Sequence, residues 1–261
     1  MRRGAFKEST VVLFLVVLLM ITLGLFITKP GGEKGIVAIS DISYVVFAAI
    51  AAIAGIMAAR VYRTKSPQGK LLLLLTMVPV FGAIAGSIWA WYEVGLGILS
   101  PFPSVADWFW LLFYVFGFVA FGYALSKLWK YIKTWHLLVA GITALILTWG
   151  AYLFALKDIF TNAADSSFAE VFFGAMYPVG DIILIGMAVL MFLTLRKGVF
   201  GESWRTFTVA LTIYGVADLV YGYQLFVGTY KSGGLIDLLW PVGNALIAYA
   251  FYQQIKAVQP A

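Results

Sequence analysis

Three polar residues in this sequence sit where an apolar chain has least use for them. Asp181 in "YPVGDIILIG", Asp218 in "YGVADLVYGYQ" and Asn244 in "WPVGNALIAY" each interrupt a long hydrophobic run. Counted from the nearest polar flank at 1.5 Å per helical residue, Asp181 lies ~16 Å beyond Glu170, Asp218 ~20 Å beyond Arg205 and Asn244 ~15 Å beyond Gly234. In a hydrocarbon core ~30 Å thick those depths are near the middle. A central Asp turned toward lipid costs ~2.5–3.5 kcal/mol even on a lenient scale. The three side chains are therefore expected to turn inward and meet. Tyr177 stands four residues before Asp181, Trp240 four before Asn244, and Tyr214 and Tyr221 share the helix face of Asp218.

That grouping could do several kinds of chemistry. Two carboxylates with no basic residue at their depth are expected to hold one proton between them, because desolvation and mutual repulsion oppose a second charge. With the tyrosines, the tryptophan and the amide they could bind a small or lipidic ligand, carry a proton, or activate water as a general acid–base pair. A hydrogen-bonded network that only fixes helix packing is the plainer reading. Both readings stay open at the level of sequence.

Composition identifies the elements that must position these residues. Hydrophobic residues make up 62% of the 261 and charged residues only 11%, with a mean hydropathy of +0.95. Average soluble chains carry about 25% charge. The balance belongs to an all-α, polytopic bundle surrounded by a lipid bilayer. Apolar runs that can cross the core need about 20 residues. Eight are present, at about 9–28, 38–60, 71–93, 105–126, 136–156, 170–195, 206–228 and 235–256, so 1–261 reads as a single membrane domain.

The net charge of +6 is banded. The N-terminal segment and the segments after spans two, four, six and eight hold 14 of the 18 Lys and Arg residues, and Lys29, Lys34, Lys157 and Lys231 fall on the other side. This is the positive-inside pattern of a multi-pass cell-membrane protein with both termini cytoplasmic. The charge is a topology signal and excludes nucleic acid as a partner. The opening "MRRGAFKESTVVLFLVVLLM" has a signal-peptide flavour, but its apolar run is long and "LFITKPGG" offers no small-residue cleavage site. It is read as a retained first span.

Short connections imply antiparallel neighbours in one bundle. Spans four and six open alike: "SVADWFWLLFYVFG" from Ser104 and "SFAEVFFGAMYPVG" from Ser167 both place an acid three on, an aromatic six on, a Tyr ten on and a Gly thirteen on. Span eight, "GLIDLLWPVG", keeps the acid and the aromatic, and "SDISYVVF" in span two is a fainter echo through Asp41 and Tyr44. These likenesses suggest a repeated two-helix hairpin. Ser-x-x-Asp and Ser-x-x-Glu before an apolar run are capping patterns. Asp107, Glu170 and Asp237 are accordingly read as structural caps. Pro178 and Pro241 each remove a backbone donor and are expected to bend their helices. Gly180 and Gly243 would let helices approach closely. Trp89, Trp91, Tyr92, Trp108 and Trp110 crowd one interface, where amphipathic rings favour the headgroup region as anchors.

Other chemistries lack their residues. There is no cysteine and only one histidine, His136 at a span boundary, so thiolate or His-rich metal sites and bis-histidine haem have no ligands. Every lysine lies in a connection or at a span end, which leaves no partner for a mid-membrane Schiff base. No phosphate-binding loop or dinucleotide fingerprint is present. No cofactor or metal is expected.

The ordered set "PSVADWFWLLFYVFGF", "YPVGDIILIG" and "DLLWPVGNALIAYAF" resembles the multi-span N-terminal sensor regions of bacterial and archaeal signalling proteins, which precede GGDEF, EAL or histidine-kinase modules. The resemblance covers about 100–250. On it, Asp107, Tyr177, Pro178, Gly180, Asp181, Asp237 and Trp240 are the matching positions, and Asn244 departs from the pattern. It implies a non-enzymatic, sensor-like unit that binds a small or lipidic ligand. With no output module after "YQQIKAVQPA", signalling would need a separate partner on the cytoplasmic side. A proton-coupled small-molecule transporter is the alternative. An intramembrane aspartate-dependent lipid hydrolase, similar to the eight-span lysoplasmalogenase group, is a further one, although that group's full motif set is not visible.

The topology is checked with single cysteines in this cysteine-free background. In intact cells, Lys65→Cys should resist a membrane-impermeant maleimide and Ser166→Cys should react; the reverse pattern would invert the orientation.

Overall fold

The computed structural model of the protein describes residues 7–259 and forms a helical bundle with no strand among them. Arg2 and Arg3, which contribute to the charge pattern, lie outside the described residues. Eight helices are long and apolar enough to cross a membrane: α1, Glu8–Thr28; α2, Gly32–Val61; α3, Pro67–Gly95; α4, Val105–Tyr131; α5, Thr134–Thr161; α6, Phe168–Leu195; α7, Gly201–Phe226; and α8, Leu235–Lys256. All eight expected spans are present. The helices α2 and α7 begin some five residues before the apolar runs that mark them, because a helix continues past the hydrocarbon boundary wherever its first turn can be wetted.

Helix starts follow local chemistry. Ser66 caps α3 by accepting from the Gly69 N–H at 3.0 Å, with Pro67 in the first turn. Ser104 and Asp107 close a capping box on α4, and Ser167 and Glu170 close one on α6. The α8 start differs: Leu235–Leu238 form a 3₁₀ turn and the α-helix runs from Leu239. Pro241 therefore falls in the first α-helical turn, where a missing N–H breaks no intrahelical bond. The lost hydrogen bond expected to bend the helix at Pro241 is therefore not a mid-helix one. Pro178, by contrast, lies inside α6.

Six of the helices close a ring. The contacts run from α2 to α3, α3 to α4, α4 to α6, α6 to α7, α7 to α8, and α8 back to α2. Small side chains make the tightest seam: Ala48, Ala51, Ala52, Ala58 and Ala59 are buried along one face of α2. Their spacing of three, four and seven lets α3 and α8 approach its backbone. The two remaining helices stand outside. Helix α1 rests on α2 and α8, and α5 rests on α6 and reaches α7 through the π-helical turn Tyr152–Leu156. Only 17% of the most apolar stretch of α1 and 11% of that of α5 are buried, against 56% for α8. Their exposed side chains, such as Leu13 and Leu145, are apolar because their solvent is hydrocarbon.

One end of the ring is tied by Gln254, which is fully buried on α8. Its side chain donates to the Ser203 hydroxyl of α7 at 2.9 Å and accepts from Gln68 of α3 at 3.0 Å. Tyr62, after α2, donates to the Gln254 carbonyl at 2.8 Å. The connections 29–31, 96–104, 162–167 and 227–234 gather at the opposite end, and the site lies toward them.

Ring and outer positions should respond differently to truncation. Phe251→Ala, at a fully buried position in the α2–α8 seam, should destabilise detergent-solubilised protein by about 3 kcal/mol. Leu145→Ala, 70% exposed on α5, should leave the thermal midpoint within error. Equal shifts would contradict the division into ring and outer helices.

Candidate functional site: a cavity of carboxylates and aromatic rings

Every helix of the ring sends a side chain into one internal cavity, and the outer two send none. Asp41 of α2, Trp89 of α3, Tyr114 of α4, Tyr177 of α6, Asp218 of α7 and Trp240 of α8 all line it. The space open to the centre of a water molecule is about 90 Å³, enough for several waters or one small molecule. A second, lateral groove between α5, α6 and α7 reaches Tyr177, Asp218 and Tyr221 from the side, so these three residues belong to both.

The inner wall is built on Tyr114. Its hydroxyl lies 3.0 Å from Asp181 Oδ1 and 3.0 Å from Asp218 Oδ2, joining α4, α6 and α7 at one oxygen. A phenol carries one proton. It can donate to one carboxylate only, so the second contact requires a proton on the other carboxyl. The geometry thus asks for one proton more than two carboxylates and a phenol supply. Trp240 completes the group by donating from Nε1 to Asp218 Oδ1 at 2.7 Å.

Glycines make this wall possible. A Cβ on Gly180 would stand 2.5 Å from the Tyr114 ring, and one on Gly243 would stand 2.5 Å from the Tyr214 ring. The repeated Pro-Val-Gly thus seats a tyrosine flat against each of two helices. Aromatic contacts continue around the cavity. The Tyr221 ring meets Trp240 at 5.9 Å, Trp89 at 6.5 Å and Tyr230 at 4.7 Å between centroids.

Two further carboxylates sit nearer the connections. Tyr177 donates to Asp107 Oδ1, while Asp107 Oδ2 accepts from the Ser104 N–H at 2.6 Å and faces its hydroxyl at 3.2 Å. Asp107 therefore caps α4 and also holds a cavity tyrosine. Asp237 Oδ2 accepts from the Ser40 hydroxyl at 3.0 Å and the Gly233 N–H at 2.7 Å, and its Oδ1 accepts from Tyr230 at 3.2 Å. Burial pushes the Tyr230 hydroxyl well above its ordinary pKa, with the nearby Asp237 charge adding to the effect, so it stays a donor. Glu170 alone of the three expected caps is confined to the exposed helix start.

The remaining expected residues divide. Tyr214 and Tyr221 line the cavity; the Tyr214 hydroxyl lies within hydrogen-bonding reach of Tyr44 and Asn244, and that of Tyr221 finds no partner among the described residues. Asn244 is fully buried, yet its amide bonds neither carboxylate and does not line the cavity. It stands beside Tyr214, one helical turn beyond Trp240 on the same face, so that Trp240 and not Asn244 is level with Asp218. Asp181 lies behind Tyr114 rather than on the cavity wall.

The structure adds residues that were not expected at the site. Tyr114 was marked only as the tyrosine ten residues after Ser104. Trp89 and Trp110 are not interfacial anchors: Trp89 is buried, and Trp110 donates to the Tyr44 hydroxyl at 3.0 Å. Trp91 and Trp108 do remain exposed. Two residues along a helix is a turn of ~200°, so members of each pair must face opposite ways. Asp41 and Glu93 are also buried. The π-helical turn Trp91–Gly95 carries Glu93 into the bundle, where its Oε1 accepts from Ser100 and Ser232.

Comparison with family models, with curated proteins and with solved structures finds no match to the chain.

Infrared difference spectra of the wild type at neutral pH should show a protonated carboxyl band that shifts in Tyr114→Phe and disappears in Asp181→Asn or Asp218→Asn. Spectra with every buried carboxyl ionised would refute the shared proton. Gly180→Val should perturb the same band by displacing Tyr114, although it leaves every polar group in place.

Proposed function

We propose that this is a sensor-like membrane protein that binds a small ligand in the cavity of the helix ring. The observation that carries the reading is the convergence itself. Six helices turn aromatic and carboxylate side chains into one space, and the two outer helices turn none. A network that served packing alone would bury its polar atoms in pairs. Here the hydroxyl of Tyr221 lines the space without a hydrogen-bond partner among the described residues. Cavities lined mainly by aromatic groups, with a few convergent polar atoms, are the usual form of small-molecule sites. The lateral groove offers a membrane-side approach, and so suits a ligand that partitions into lipid.

The signalling part of the reading rests on the resemblance of "YPVGD" and its companion motifs to sensor regions. Signal output would then pass to a partner at the Gln254 end, where the basic connections cluster. A transporter reading is favoured by one observation, the extra proton demanded by the Tyr114 bridge, since a carrier coupled to protons needs an ionisable group of that kind at mid-membrane.

Native mass spectrometry on protein released from its own membranes should find a bound small molecule on the wild type that is lost in Asp218→Asn. Wild type with no such adduct would count against a binding protein. Accumulation of the identified molecule in proteoliposomes, driven by a pH gradient and absent in Asp181→Asn, would decide for transport over sensing.

A further inference from the structure

The carboxylates of the cavity are not equally occupied, and the difference says what the cavity would accept. Asp41, Asp107, Asp218 and Asp237 line it, and no Lys, Arg or His among the described residues does. Asp107, Asp218 and Asp237 each receive two or more donors from the protein. Asp41 is different. Its 7% relative exposure leaves it 93% buried, and no N–H or hydroxyl of the described residues donates to its Oδ2, whose neighbour is the Glu93 carboxyl. Glu93, 4% exposed, stands in hydrogen-bonding contact with it; its Oε1 accepts from Ser100 and Ser232, and no N–H or hydroxyl of the described residues donates to its Oε2.

Two carboxyl oxygens in contact can be held together only by a proton or another donor placed between them, since each carboxylate can only accept. A ligand that satisfied them must bring donors, and one that entered a wall of four carboxylates without a cation must not be an anion. The other walls point the same way. Trp89, Tyr221, Trp240 and Tyr230 form a connected series of rings around the same space, and aromatic faces attract cations within about 6 Å. Acceptors, negative charge and aromatic faces together describe a group that is positive, compact and rich in N–H.

Building on the small-ligand reading above, we propose that the cavity binds a primary ammonium group, with Asp41 as its principal acceptor, Glu93 beside it, and the Trp89–Tyr221–Trp240 rings around its charge and alkyl chain. An ammonium offers three donors, enough to stand between Asp41 and Glu93 with a hydrogen bond to each. Its charge offsets the carboxylates without a protein cation. The group could belong to a free amine or to an ethanolamine headgroup. The cavity walls hold no basic residue for a phosphate, which favours the free amine.

The test uses the full-length protein in phosphatidylcholine nanodiscs, with n-butylammonium as the probe and 1-butanol and butyrate as size-matched controls. Tryptophan fluorescence reads binding directly, since Trp89 and Trp240 line the cavity, and size-exclusion elution and helical circular dichroism confirm folding. Butylammonium should bind saturably and butyrate should not. Asp41→Asn should weaken binding by about ten-fold or more, as expected for loss of a charge-assisted contact, and Glu93→Gln by less. If Asp41→Asn fails to fold, Glu93→Gln and Trp240→Leu carry the comparison, and an undiminished affinity in both overturns the proposal. Butanol binding as tightly as the amine overturns the ammonium assignment and leaves the small-ligand reading standing. No cavity binding by any of the three overturns both. Repeating the titration with phosphatidylethanolamine in the disc separates the sources: competition identifies a headgroup ammonium, and unchanged affinity identifies a free amine.

Discussion

The structure turns on carboxylates that sit in a low-dielectric bundle with no cation to pair with. Removing a charge from water without a partner is costly enough that such groups change protonation or gather every available neutral donor. Both responses are visible. Tyrosine hydroxyls, a tryptophan indole, serine hydroxyls and backbone N–H groups converge on Asp107, Asp218 and Asp237. Asp181 and Asp218 share a tyrosine whose single proton cannot serve both. The ring follows from this need, because the donors for each acid come from neighbouring helices and draw them together.

Packing then decides which donors can reach. Glycine at 180 and 243 removes the Cβ that would push a tyrosine ring off the helix, and alanines along α2 bring α3 and α8 close enough to close the ring. The late α-helical start of α8 sets which face carries Trp240. Small residues and one short 3₁₀ turn thus govern the chemistry of larger side chains.

Much of this was legible from the chain. Hydrophobic length marks all eight helices, and the depth of Asp181 and Asp218 is enough to require that they meet. Capping patterns locate the starts of α4 and α6 to the residue. Other features were hidden for definite reasons. Tyr114 looks like any aromatic in an aromatic-rich span, and only the shared spacing after Ser104 and Ser167 singles it out. Glu93 sits between interfacial aromatics where an acid would normally be wetted, and a π-helical turn, which leaves no clear trace in composition, brings it inside. Trp89 and Trp110 were readable by helical phase, since partners two residues away cannot share a face. Asn244 failed because it lies one turn farther along α8 than Trp240, beside Tyr214 and not beside the carboxylates.

Helix α8 is gripped near both ends. Asp237 and Trp240 engage α2 and α7 at one, and Gln254 engages α3 and α7 at the other. A stiff rod clamped at two places some 25 Å apart, at 1.5 Å per residue, cannot settle a disturbance locally. Any torque applied at the indole must emerge at the glutamine, so the two faces of the membrane are mechanically in series through a single element.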